Sequence, residues 1–598
     1  MESYYKNICS SLQSCKLTKP YYFYSQFILQ KSFLILAVSE SISAESRFYK
    51  YMKKLITLLF VICNLQLVIC NLYAQPVIEE WVRRYPDTVN GWGSGNAITV
   101  DNKGYVYVTG TIIISNLMKY GTVKYSENGD VKWISIYEGT NTGGRQPAAI
   151  AVDESGNVYV TGYGYQTGNY FDFLTIKYDS LGNEKWVRFY DGGAHEIDQA
   201  TGIKTDKAGN VYVSGYASLG GIHFVYCAIK YNPEGEELWV RQYGIPNSGT
   251  ETFAMAIDDK SNIYITGSDS EKVATVSFDS SGNLRWSNRY PFVSIAYSIA
   301  VDKDYNTFIC GIVGDTLIHG NDYLIIKYSQ SGQQLWVRKY TYCHQGGCNN
   351  TAESVVVDRW GNVYVTGGVR NTPNGRGSLC TIKYSNNGDS IWLRKSYERT
   401  GSFYTTSTVD SFGGTYIASL KIDSVCNSLS YFTLKYDSSG TVEWEKIYCG
   451  CYTNSATAHG ITLDNIGNAY ITGFICEGEY PTRVNMTTIK YSQPLYGIKK
   501  ISEKIPQNYK LYQNFPNPFN PVTKIKFDIS SEVRGKKQEV RLAIYDVLGR
   551  EIETLANELL NPGTYEVEWD GSKYSSGVYF CRLTTQLFSE TKRIALIK

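Results

Sequence analysis

The ten residues Asp153–Gly162, DESGNVYVTG, decide the fold because the chain writes them repeatedly. Near-copies begin at Asp101 (DNKGYVYVTG), Asp206 (DKAGNVYVSG), Asp258 (DDKSNIYITG) and Asp302 (DKDYNTFICG). Three more begin at Asp358 (DRWGNVYVTG), Asp410 (DSFGGTYIAS) and Asp464 (DNIGNAYITG). The spacing averages about 52 residues, a period that marks a repeat architecture. Two other signatures keep the same beat. One is a strand ending in Lys-Tyr, such as TIKY at Thr175. The other is a strand built on Trp81, Trp133, Trp186, Trp239, Trp286, Trp336, Trp392 or Trp444.

Each repeat resolves into four short strands, which in the second copy read AAIAV, NVYVTGY, FLTIKY and EKWVRFY. DESGN and DSLGN join them as hairpin turns, since Asp and Asn close local backbone hydrogen bonds and Gly accepts positive φ. A calcium loop would need carboxylates at alternate positions and a closing bidentate Glu, and these segments lack that pattern. A four-stranded antiparallel unit cannot bury both faces alone; stacking such units around an axis buries them, and closing the ring protects the edges. The Trp81 strand arrives with no partners before it, and the last repeat ends at Thr488–Tyr491 without a Trp strand. The Trp81 strand is therefore expected to complete the last blade. The expectation is an all-β chain: an eight-bladed β-propeller over residues 75–493. It becomes seven-bladed if the degenerate Asp410 copy, with Gly414 shifted and Ser419 in place of the final Gly, stands outside the ring.

Composition agrees. The 598 residues carry 52 Tyr and 54 Gly but only 15 Pro, which suits pleated strands and tight turns. Charge is balanced, 58 Lys+Arg against 56 Asp+Glu, which leaves no nucleic-acid or membrane-surface footprint. From Met52 the chain reads MKKLITLLFVICNLQLVICNLYAQP, a short basic segment, an apolar run and a small residue. That is the layout of a signal peptide over 52–74, cleaved between Ala74 and Gln75. A membrane anchor fits less well because Asn64, Gln66 and Asn71 interrupt the run, so no stable span is expected in the mature chain. Residues 1–51 read as a mis-start or unstructured extension. Export places the cysteines in an oxidising compartment, where a local Cys343–Cys348 bridge is expected; a metal site at Cys343, His344 and Cys348 lacks a second ligand pair. Cys227 and Cys380 occupy equivalent strand positions, where buried packing is expected.

Repeats of the form AVDxxGNVYVTG…KYxxxGxxxW resemble the bacterial SBBP (beta-propeller) repeats of exported proteins, over roughly Trp81 to Tyr491. The resemblance implies a propeller, usually of seven blades, and brings no catalytic residues with it. After a linker at 494–508 the beat changes. Residues 509–598 carry NFPNPFNPVTKIKF, IYDVLGREI, PGTYEVEWDG, SSGVYF and KRIALIK, with Pro516, Pro518, Pro521, Gly549, Gly577 and the terminal Lys598. Short alternating strands there predict a small Ig-like β-sandwich. The module closely resembles the type A C-terminal sorting domain of the type IX secretion system. It implies that machinery as partner, passage through the periplasm to the surface or medium of a Bacteroidetes- or Chlorobi-type bacterium, and removal of the domain.

Catalytic, metal and cofactor sites are expected to be absent: the five histidines form no HExxH pair, and no nucleophile elbow or phosphate loop occurs. His195, with Glu196 and Asp198 in DGGAHEID, reads as a solvated loop rather than an acid–base cluster. The second-to-third connections and the Trp-strand exit loops vary between copies and share one face of a propeller, where binding is expected. The expected function is non-catalytic binding of a polysaccharide or protein. The alternatives are a polysaccharide lyase or hydrolase on the same scaffold and a structural surface-layer component.

Overall fold

The computed structural model describes residues 77–598 apart from 87–91, 140–142, 167–169, 222, 245–249, 316–319, 343–348, 371–376, 397–404, 412, 424–427, 450–455, 466, 478–482, 493–498, 503–504, 531–537 and 572–573. The signal-peptide region with Ala74 and Gln75, and the Cys343–Cys348 pair, lie outside the described residues. No helix among the described residues is long and apolar enough to cross a membrane.

In the second repeat, strands Arg145–Val152, Val158–Tyr165, Phe171–Tyr178 and Glu184–Tyr190 pair antiparallel in that order. The third, sixth and seventh repeats form separate four-stranded sheets in the same way. The fourth and fifth share one strand. Leu284–Val301 is the outer strand of one and the inner strand of the next, so the two merge. The eighth repeat takes its outer strand from the other end of the sequence: Ile78–Tyr85 pairs antiparallel with Arg483–Ser492, Trp81 opposite Lys490.

Cores lie between neighbouring sheets. Tyr159, Phe173 and Trp186 of the second repeat pack with Ile203, Val211, Val213 and Ile229 of the third. Trp81, Tyr470 and Met486 pack likewise with Val106, Val108 and Val123 of the first. Inner strands touch in sequence around an axis, and Ala456–Leu463 of the last repeat packs on Trp92–Val100 of the first. The degenerate seventh repeat stands in this cycle between its neighbours.

Polar clasps reinforce the junctions. Trp133 Nε1 and Lys124 Nζ both donate to Ser180 O of the next repeat, each at 3.1 Å. Trp186 and Lys177 treat Pro233 O the same way, and Arg188 Nε donates to Gly235 O at 2.6 Å. Gly235 sits at φ +82° with its α-carbon against the Trp186 ring, so that an added Cβ would lie 2.7 Å from Cδ2. Hence the spacing KYxxxGxxxW: the glycine turn of one repeat is the seat for the indole of the one before it. At the closing junction Trp81 Nε1 (3.0 Å) and Lys490 Nζ (3.2 Å), from opposite ends of the repeat region, share Glu127 O.

Residues beyond 498 form two four-stranded sheets over one core that includes Phe527, Val567, Trp569, Leu542, Leu583 and Ile594. Two features differ from the sequence reading. Lys499–Ser502, within the expected linker, pairs with Gly563–Asp570, and Glu551–Leu560 is an additional strand against Gln538–Tyr545. Both were hidden by weak alternation of apolar residues. Pro521 O accepts from Gly571 N, Gly549 turns at φ +76°, Gly577 opens a strand, and Lys598 N donates to Ser576 Oγ. The peptides preceding Pro516 and Pro518 are cis.

Candidate functional site

The site is built outward from the repeated turn. Asp153 Oδ1 accepts from Ser155 N and Asn157 N, while Oδ2 accepts from Asn157 Nδ2 and Tyr159 OH, all at 2.8–3.0 Å. Gly156 N returns to Asp153 O with φ +84°. Asp206, Asp258, Asp358 and Asp464 hold their Asn and Tyr partners identically; Asp101 holds Tyr107 and Asp302 holds Asn306. At Asp410 the turn glycine is Gly413, φ +79°, in its usual place; Gly414 stands where Asn stands elsewhere, which corrects the shift read from sequence. Each carboxylate thus fixes the start of the second strand.

That strand ends in the motif's last glycine, which has a separate purpose. A Cβ on Gly162 would lie 2.1 Å from Gln146 O; on Gly367, 1.9 Å from Thr351 O; on Gly473, 1.8 Å from Thr457 O. The inner strand presses on this glycine because it carries a β-bulge there. Register slips between Pro147 and Ala149, between Ala352 and Ser354, and at the same place in each of the seven repeats whose pairing is described there. A bulge leaves one residue unpaired and re-aims its side chain. In the seventh repeat Ser419 replaces the glycine and its hydroxyl lies 3.1 Å from Thr405 Oγ1; the described pairing begins only at Thr406, beyond that place.

The unpaired residues stand five positions before each turn aspartate and meet at the axis. Asn96 Nδ2 donates to Pro147 O (2.7 Å), and Thr201 Oγ1 lies 3.3 Å from Thr252 Oγ1. Phe253 and Tyr297 meet edge to face at 5.3 Å, Glu353 lies beside Thr405, and His459 Nδ1 is 2.8 Å from Gly95 O. A carbonyl only accepts, so Nδ1 carries the proton; burial holds the imidazole's pKa down and keeps it neutral. Each side chain leans on the inner strand of the next repeat, and together with Ala148 they line a cavity of about 920 Å³. Trp92, Gln146, Gln199, Tyr163, Asn321 and Asn349 also line it. These come from the beginnings of inner strands and the edges of the variable loops, so the cavity opens on the variable-loop face. Glu353 is the one acidic lining residue among those described, and burial lifts its pKa to about 7.

Off the axis, the loop carrying His195 brings together more than the sequence suggested. Carboxylate oxygens of Asp172, Asp191 and Asp198 lie within 4.8 Å of one another, a set able to hold a cation. Asp198 accepts from Gly192 N (2.5 Å) and Ser218 N (2.7 Å), and burial raises its pKa to about 6. Glu196 accepts from Ser218 Oγ and Gly221 N, and His195 is on the surface, 2.5 Å from Asp191. These bonds tie two loops together. Cys227 and Cys380 are fully buried, and Cys449 is disulfide-bonded. The ring at the axis was missed because its residues vary from copy to copy; the signal was the glycine of VYVTG, which recurs in all copies but the seventh and which no turn requires.

Known proteins give the following picture. The secretion system C-terminal sorting domain family matches residues 513–598, and the beta-propeller repeat family, SBBP, matches 133–167 and 238–268. No curated protein matches the chain. Similar solved structures include a protein of unknown function from Bacteroides caccae, 15% identical, covering 48% of this chain and 93% of its own, TM-score 0.28. The β-propeller domain of the Trilobed protease from Pyrococcus furiosus is 11% identical, covering 58% and 94%, TM-score 0.35. Porphyromonas gingivalis dipeptidyl peptidase 4 is 10% identical, covering 76% and 66%, TM-score 0.35. At these scores the likeness carries no functional information. The two family matches and the all-β repeat architecture identify the chain as a β-propeller-repeat protein with a C-terminal secretion sorting domain.

Proposed function

We propose that this is an eight-bladed propeller, exported through its signal peptide and the type IX pathway, that binds an extracellular polysaccharide or protein at its axial mouth without chemical turnover. The observation that carries this reading is the 920 Å³ cavity at the mouth, lined by aromatic, amide and hydroxyl side chains from successive repeats. Small-ligand sites typically have about 300–1,000 Å³ and this mixture of apolar walls and a few oriented polar groups. The sorting domain supports a surface or secreted location and engages the secretion machinery. The test is retention of the purified protein on cell-wall and plant polysaccharides and on envelope proteins. Retention lost in Trp92→Ala, whose ring stands at the rim, is the expected result.

One observation favours a second reading, a polysaccharide-cleaving enzyme. Glu353 at the mouth retains its proton to about pH 7, as a general acid would. Release of new chain ends from a polymer, abolished in Glu353→Gln, would establish it and overturn non-catalytic binding.

A further inference from the structure

We infer that the bulged side chains at the axis are the specificity-determining residues, and that their ligand is an uncharged glycan entering the mouth end-on. The inference rests on the axial-mouth reading above and narrows it. Position is the first argument. The backbone around each bulge is the same from repeat to repeat, held by the turn aspartate on one side and the glycine contact on the other. The unpaired residue changes from Ala148 to Thr201, Phe253 and Tyr297 in consecutive repeats, while the residue before it stays small, as Pro147, Ala200, Thr252 and Ala296. A fixed frame with one free side chain per repeat is a reading head: chemistry varies there without disturbing the scaffold.

The chemistry of the described lining is the second argument. It holds no lysine or arginine, so an anionic ligand would lose hydration and gain no counter-charge. Its single carboxylate, Glu353, has both oxygens withdrawn from solvent, and a cationic ligand would have to unearth it to pair with it. What remains is apolar ring surface beside amides and hydroxyls. Phe253 and Tyr297, both partly exposed, meet edge to face, and Gln146 and Gln199 belong to the same lining. Pyranose rings offer apolar C–H faces and equatorial hydroxyls, which such a surface matches at once.

The test is calorimetric titration of the purified full chain with hexasaccharides: neutral (gluco-, xylo- and manno-), acidic (oligogalacturonate) and cationic (glucosamine). Variants are Ala148→Tyr, Phe253→Ala and, on the opposite face, Leu181→Ala. Ala148 is exposed to the cavity, so a tyrosine there fills the mouth without displacing core atoms. Expected is binding of a neutral oligomer, weakened at least tenfold by Ala148→Tyr and by Phe253→Ala and unchanged by Leu181→Ala. Tighter binding of an acidic or cationic oligomer, lost in Ala148→Tyr, overturns the uncharged ligand while leaving the mouth as the site. Neutral binding indifferent to both ring variants overturns the reading head. Binding of no oligomer of any charge overturns the glycan inference; the broader reading then stands or falls on whether envelope protein is retained by wild type and released by Ala148→Tyr.

Discussion

Gly367→Ser isolates the relation between the last glycine of the motif and the bulge. A Cβ on Gly367 would stand 1.9 Å from Thr351 O, 2.9 Å from its carbonyl carbon and 3.0 Å from Ala352 Cα, all backbone, so no side chain can swing aside. Overpacking of this kind costs about 1–3 kcal/mol. The seventh repeat carries a serine in that place, Ser419, whose hydroxyl lies 3.1 Å from Thr405 Oγ1, so the position tolerates this side chain. We therefore expect about 2 kcal/mol of destabilisation rather than failure to fold, with Thr351–Val357 pushed off the added Cβ and Glu353 displaced at the mouth. At ~2–4 °C per kcal/mol for large domains this lowers Tm by roughly 4–8 °C. The assay is thermal and urea unfolding of the full chain, with a structure of the variant. Gly314→Ser is the control, since a Cβ there meets nothing closer than 3.7 Å and the change should stay within ~0.5 kcal/mol. Equal melting of both variants, or an undisplaced Thr351–Ala352 backbone in Gly367→Ser, would refute the argument.

Three further outcomes follow from the geometry. Burial raises the Glu353 pKa from 4.5 to about 7, so the folded chain holds a proton there that the unfolded chain releases. Stability therefore falls as pH rises from about 4.5 to 7 and is flat above; Glu353→Gln should remove that slope and gain up to roughly 3 kcal/mol at pH 8, read from urea midpoints across pH. Asp198 adds a slope of the same sign below about pH 6 in both proteins, which cancels in the difference. Ser261 and Tyr305 occupy turn positions at φ +63° and +64° that glycine fills in most copies, so Ser261→Gly should stabilise by about 1 kcal/mol in a thermal melt. Deleting Ile78–Tyr85 removes Trp81 from its core and leaves Arg483–Ser492 as an open edge; self-association in light scattering is expected, reversed by a peptide spanning residues 76–86.

Repeats, turns and clasps were legible because their determinants are local and recur. Asp153, Gly156 and Asn157 make their bonds within four residues of one another. Trp186 meets Gly235, 49 residues on, in the same way as each neighbour meets the next repeat. The Trp81 strand could be placed because each end of the array lacked what the other had. The axial ring was not legible, since convergence of Asn96, Phe253, Glu353 and His459 depends on a bulge that appears in sequence only as a glycine without a turn. The grouping of Asp172 with Asp191 and Asp198 was hidden for a related reason: Asp172 belongs to a different connection of the same repeat.

The shared acceptor at Glu127 sets a schedule for synthesis. Glu80 and Ser492, hydrogen-bonded across the closing strands, are 412 residues apart, so the first of these strands leaves the ribosome well before its partner exists. At ~5–20 residues per second the wait is roughly 20–80 s. During that time the growing array has one unsealed flank at each end, and every intermediate carries strand edges that other chains can capture. A stalled or prematurely terminated product, lacking the segment after Met486, would remain permanently unlatched and would be marked by those edges for proteolysis or aggregation.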